Sequence, residues 1–77
     1  MNTPKRIFFE SYNKECQNRE VTKMVIAIKN YHGEPEIIIT SGADTIASKM
    51  LYNAEAYDDN TRLKLKQDVQ IVNWMFV

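Results

Sequence analysis

Several sets of side chains in this 77-residue chain carry groups that could do chemistry. Cys16 and His32 are its only cysteine and only histidine. A thiol activated by an imidazole is a nucleophile, but the pair must be joined by an orienting group and a substrate pocket. Glu34 and Glu36 are near His32 in sequence. However, Cys16 falls on the apolar stripe of a predicted helix, where a buried, inert thiol is expected. His32 stands beside Gly33 at a predicted hairpin tip, where a histidine is ordinarily polar and exposed. A domain of this size rarely encloses the ~300 Å³ or more that a substrate cavity needs. The sequence therefore points away from an enzyme.

Glu55, Asp58 and Asp59 gather at a predicted helix end, and clustered carboxylates can bind Mg²⁺ or Ca²⁺. Their spacing is not that of a calcium loop: no glycine follows, and no glutamate stands at the twelfth position. A solvated helix end paired with Arg62 or Lys64 is the expected reading. With one cysteine and one histidine there is no zinc ligand set, so neither metal nor cofactor is expected. Arg62, Lys64 and Lys66 alternate with Leu63 and Leu65. Together with Tyr31 or Tyr52 they could track a phosphate backbone. Ten basic residues are cancelled by ten acidic ones, whereas nucleic-acid-binding domains normally carry a basic excess. An edge strand guarded by lysines accounts for the triplet equally well. Nucleic-acid binding through Arg62, Lys64 and Lys66 is thus the alternative reading, not the leading one.

The strongest signal lies at Val69 to Val77, where every residue except Gln70 and Asn73 is apolar. Such a segment must be docked, because free termini fray and are normally polar. Strand alternation would put Val69, Ile71, Asn73, Met75 and Val77 on one face and Gln70, Val72, Trp74 and Phe76 on the other. A strand apolar on both faces reads as one buried between two layers. Helix 45–57 would cover one face and the N-terminal helix the other. The functional reading is an exposed patch in which Val25, Ile38, Val72, Trp74 and Phe76 meet a partner, since aromatics are enriched at such surfaces. The uncharged run is far too short to span a membrane as a helix, and no basic amphipathic helix accompanies it.

These groups must be held by local structure, and the pattern is readable. Hydrophobic residues make up 44% and charged residues 26%, values of a globular chain rather than a disordered one. The length fits a single domain, 1–77. Thr3 and Pro4 are suited to start a helix that runs to about Arg19, with Phe8, Tyr12 and Cys16 on its apolar stripe. Val21 to Asn30 alternates as a strand, Gly33 and Pro35 mark a turn, and Glu36 to Thr40 returns as a second strand. Asp44 is placed to cap a helix from about Thr45 to Tyr57, carrying Ile46, Met50, Ala54 and Tyr57. Arg62 to Lys66 is either extended or a short helical turn. The expectation is an α+β fold in the order α-β-β-α-β, with a three-stranded, mainly antiparallel sheet packed with two helices. The first strand should be central, since it is apolar on one face and carries Val25 and Ala27 on the other. A lone thiol without a secretory segment reads as cytoplasmic. A 77-residue chain buries a modest core, so a homodimer is a natural route to further stability.

The segments Ala56-Tyr57-Asp58-Asp59, Leu63-Lys64-Leu65 and Ile71 to Val77 resemble the C-terminal half of small uncharacterised proteins encoded by phages and prophages of Gram-positive bacteria. Met24 to Lys29 and Gly33-Glu34 fit the same pattern. The resemblance implies no activity and no catalytic residues. It implies a context, in which small accessory proteins act by binding a host or phage protein.

Overall fold

In the computed structural model, which describes residues 2–77, the chain runs α1 (Pro4–Asn18), β1 (Lys23–Lys29), β2 (Pro35–Ser41), α2 (Ala43–Ala56), β3 (Arg62–Leu63) and β4 (Lys66–Phe76). The Thr3 hydroxyl accepts the Arg6 N–H at 3.2 Å, and Pro4 stands in the first turn, where its missing N–H leaves no helical bond unmade. The β1–β2 connection turns at Gly33, whose φ of 80° is in the left-handed region that glycine enters freely. The Asn30 side-chain oxygen closes that turn by accepting the N–H groups of His32 and Glu34 at 2.9 and 3.0 Å. The start of α2 departs from the sequence reading. Its N-cap is Gly42, at φ 92° and ψ 133°, and Asp44 sits inside the first turn without capping. That backbone conformation, which side-chain-bearing residues rarely adopt, takes the chain from β2 directly into the helix. The Gly42 N–H remains tied to the Thr22 carbonyl at 2.9 Å. The Asp44 carboxylate still lies at the positive end of the helix.

The sheet has four strands rather than three, in the order β2-β1-β4-β3, with every neighbouring pair antiparallel. β1 lies between β2 and β4, as its two apolar faces suggested. The added strand is only Arg62–Leu63, opposite Gln70 and Lys66, and Tyr57 makes a further bridge to Leu63. Leu63 packs against the core while Leu65 is 95% exposed. The alternating stretch is therefore extended, then turns through Lys64 and Leu65 into β4.

Both helices cover the same face of the sheet, which corrects the expectation of one helix on each side. Met24, Ile26 and Ile28 of β1, Ile71 of β4, Phe8 of α1, and Ile46 and Met50 of α2 belong to one buried cluster. The β1 members share one parity, so they point to one side. The molecule measures 35 × 28 × 17 Å, and its short dimension accommodates one sheet and one layer of helices.

Lys5 joins the helices: its Nζ donates to the carbonyls of Ala54 at 2.7 Å and Tyr57 at 2.9 Å, at the C-terminal end of α2. An ammonium there satisfies carbonyls the helix leaves unpaired and complements its negative end. Lys5→Met should therefore lower stability by about 1–3 kcal/mol. The check is urea unfolding, with a lower midpoint at unchanged slope. An unchanged midpoint would mean that water replaces the ammonium without loss.

Candidate interaction surface

A β-bulge decides which side chains of β4 face outward. Ala27 of β1 is opposite Asn73, but Ile28 is opposite Ile71, so Val72 is an extra residue in the ladder. Upstream of it, Val69 and Ile71 turn to the core; downstream, Trp74 and Phe76 do. The strict alternation expected from the sequence breaks at that point. Met75 and Val77, expected on one face with Ile71 and under a helix, are half-exposed on the far face, at 57% and 50%. Trp74 and Phe76 instead lie under α1. The Phe8 ring centroid is 4.9 Å from that of Trp74 and 6.3 Å from that of Phe76, and Tyr12 is 5.7 Å from Phe76.

The five residues expected to form one partner-binding patch are consequently divided. Ile38 and Trp74 are both opposite Ile26 and, with Phe76, belong to the helix-covered side. Val25 and Val72 belong to the bare side. The outward row built around Val25 runs Ile39–Val25–Met75, and the next runs Ile37–Ala27–Asn73. Ile37, Ile39 and Val72 are 60%, 62% and 54% exposed. The result is an apolar strip three strands wide, with Lys23 and Lys29 at the two ends of β1. Ile37 and Ile39 were missed by the sequence reading, although the β1–β2 register brings them beside Ala27 and Val25.

The other candidate groups do not converge. Cys16 is exposed, not buried as expected. Phe8 and Tyr12 anchor α1 over Phe76, the last residue of β4, and Cys16 lies a turn farther on. It lines a small groove of about 200 Å³ with Tyr12, Arg19 and Val21. Burial, and next the neighbouring Cys16, push the Tyr12 hydroxyl above its ordinary pKa. His32 lines a different groove, at the β1–β2 turn, with Lys29, Arg62 and Asp68. Asp58 is a turn-former: its carboxylate accepts the N–H groups of Asn60 and Arg62 at 2.9 and 3.0 Å. The Arg62 N–H, foremost, holds that carboxyl below the usual range. Among the described residues no three His, Cys, Asp or Glu side chains are grouped to hold a metal ion.

The basic triplet is also split. Arg62 faces the His32 groove, and the Lys66 Nζ sits 4.5 Å from the Tyr31 ring centroid. Lys64 lines a separate, mainly apolar groove of about 650 Å³ with Leu51, Tyr52, Glu55 and Leu65. Among the described residues no helix is long and apolar enough to cross a membrane. Compared with protein-family models, curated proteins and solved structures, the chain matches none of them.

Proposed function

We propose that this protein is a protein–protein interaction module of the phage accessory type, and that the bare face of its sheet is the contact surface. One observation carries the reading: both helices pack on one face, which leaves Val25, Ala27, Ile37, Ile39, Val72 and Met75 as a contiguous apolar strip on the other. Antiparallel sheets commonly leave one face to solvent, but that face then alternates to polar residues. Here the centre of the face is apolar apart from Asn73, and an exposed apolar patch is the usual mark of a partner surface. Lys23 and Lys29 at its ends fit a partner whose apolar centre is flanked by acidic groups. The resemblance to phage proteins makes a host or phage protein the natural occupant. The reading is of a binder and not an enzyme: thiol, imidazole and carboxylates are dispersed over separate open grooves.

The test is affinity capture from a phage-infected Gram-positive lysate with three baits: the wild type, Met75→Asp, and Leu65→Asp as a control outside the strip. A single protein retained in stoichiometric amount by wild type and Leu65→Asp, and reduced at least about tenfold by Met75→Asp, is the expected result. Equal retention by all three baits would sink the assignment of the face. Salt-sensitive binding of DNA, lost when Arg62, Lys64 and Lys66 are neutralised, would favour the nucleic-acid alternative instead.

A further inference from the structure

The two edges of the sheet are treated differently. At the β4 edge, the C-terminal half of the strand extends beyond β3, and two of its outward backbone groups are met by side chains. Asn73 Oδ1 accepts the Trp74 N–H at 2.9 Å, and the Arg19 guanidinium donates to the Phe76 carbonyl. At the β2 edge the backbone phase follows from the hydrogen bonds to β1. The Asn30 N–H donates to the Glu34 carbonyl, and the Gly42 N–H to the Thr22 carbonyl. Even-numbered residues of β2 therefore bond to β1, and the N–H and C=O groups of Ile37, Ile39 and Ser41 point outward. Among the described residues no side chain meets those groups. Among the described residues β2 itself carries no lysine and no bulge; Pro35, at its start, removes a donor, and Lys49 of α2 lies alongside.

We infer that β2 is the seat of a second copy of this chain, paired antiparallel about a two-fold axis through Ile38 to make one continuous sheet. Phase admits any register that sets odd-numbered residues opposite odd-numbered ones, and among these the axis through Ile38, the midpoint of Pro35–Ser41, is the one that pairs the strand over its full length. Placing Ile37 opposite Ile39 of the second copy sets outward groups against outward groups, so each such pair exchanges two hydrogen bonds. Ser41 then comes opposite Pro35, whose carbonyl can still accept although the ring cannot donate. The one defect of the edge thus falls at its end, where it is least disruptive.

Charge agrees with the same register. Glu36 is exposed and comes opposite Thr40 of the second copy. Thr40 lines a groove with Lys49, Thr45 and Ser48 along the β2 edge, so Glu36 of each copy is brought to the groove that Lys49 of the other lines. Within one chain Glu36 accepts from Asn30 Nδ2 at 3.0 Å and the Lys49 Nζ sits 4.6 Å from the Tyr52 ring centroid, contacts the pair would exchange for one another. On the bare face, Ile37 and Ile39 of both copies become one cluster, and the apolar strip doubles in length. The inference stands apart from the proposed function, because it uses the edge of the sheet and not its face.

Light scattering after size exclusion, over a range of concentrations, should give a mass rising to twice the 9.0 kDa of the chain. Ile39→Pro removes an outward N–H and no bond to β1, so it should give a monomer whose Trp74 emission and far-UV spectrum match wild type. Glu36→Lys should weaken the dimer at least about tenfold, and Glu36→Lys combined with Lys49→Glu should restore it. Met75→Asp, on the face and two strands from the edge, should leave the dimer intact. A wild type monomeric at several hundred micromolar overturns the inference. So does a dimer that survives both Ile39→Pro and Glu36→Lys, or one abolished by Met75→Asp alone, which would place the contact on the face. An extended peptide bound at β2 by a monomeric chain would overturn it in favour of a different occupant.

Discussion

Phe8→Ala is expected to leave the protein largely unfolded or barely folded. Phe8 is 1% exposed and is the one fully buried side chain of α1. Truncating a buried phenylalanine removes about 3–5 kcal/mol, through lost transfer free energy and the cavity left behind. Small domains hold on the order of 5–10 kcal/mol in total. The loss here includes more than area, because the Phe8 ring meets Trp74, Phe76 and Phe9 at centroid distances of 4.9, 6.3 and 5.5 Å. Aromatic pairs of this kind add roughly 0.5–1.5 kcal/mol each beyond burial. The readout is built in: Trp74 is the only tryptophan, and undocking α1 exposes it to water. The expected result is red-shifted emission without denaturant, or a urea midpoint shifted by more than half. Phe9→Ala, at a half-buried position, should lose distinctly less. A wild-type midpoint for Phe8→Ala would mean that α1 does not hold this face of the sheet.

Much of this fold is legible in the sequence because local signals agree with it. The β1–β2 hairpin carries a period of two on both strands and a turn with Gly33 and Pro35, and nothing in the tertiary structure contradicts either. Both helices show one apolar stripe each. What escapes is whatever depends on pairing. A strand of two residues has no periodicity, so β3 exists only because Tyr57, Gln70 and Lys66 are placed to receive it. The Gly42 cap is similar. Asp44 is the better capping residue by chemistry, but the chain must turn sharply out of β2, and a positive φ at Gly42 achieves this before Asp44 is reached.

The interaction surface fails to appear in the sequence for a related reason. A strand that is apolar on both faces does not say which face the helices take, and β1 and β4 are both of that kind. Parity then compounds the ambiguity. One extra residue at Val72 moves Trp74 and Phe76 inward and Met75 outward, and no residue type near it signals a bulge. Val25 and Val72 lie on the bare face, Val25 half-buried and Val72 exposed. Ile38, Trp74 and Phe76 fall on that face only if alternation runs unbroken through Val72 and across strands whose relative phase the sequence does not contain.

Asn53 supplies the second large effect, in both directions. The apolar stripe of α2 reads Ile46, Met50, Ala54 and Tyr57 in sequence, but the residues buried most deeply are Ile46, Met50, Asn53 and Tyr57. Asn53 is 1% exposed, and its Nδ2 has no hydrogen-bond partner. A buried donor left unmade costs roughly 1–3 kcal/mol. Asn53→Leu keeps the branched four-atom skeleton at a larger volume, removes that donor, and exchanges a weak helix former for a strong one. It is expected to raise stability by about 1–3 kcal/mol, seen as a higher urea midpoint at unchanged slope. Asn53→Asp tests the same site from the other side. An unpaired carboxylate there should lower stability by about 3 kcal/mol or more at neutral pH. Burial raises its folded pKa above the unfolded value, so the deficit should shrink as pH falls through the folded pKa and the group becomes neutral. A fall in stability for both Asn53→Leu and the smaller Asn53→Ala would overturn the expectation, since overpacking accounts for a fall in the first alone. An Asn53→Asp variant equal to wild type at neutral pH would show that water reaches the position.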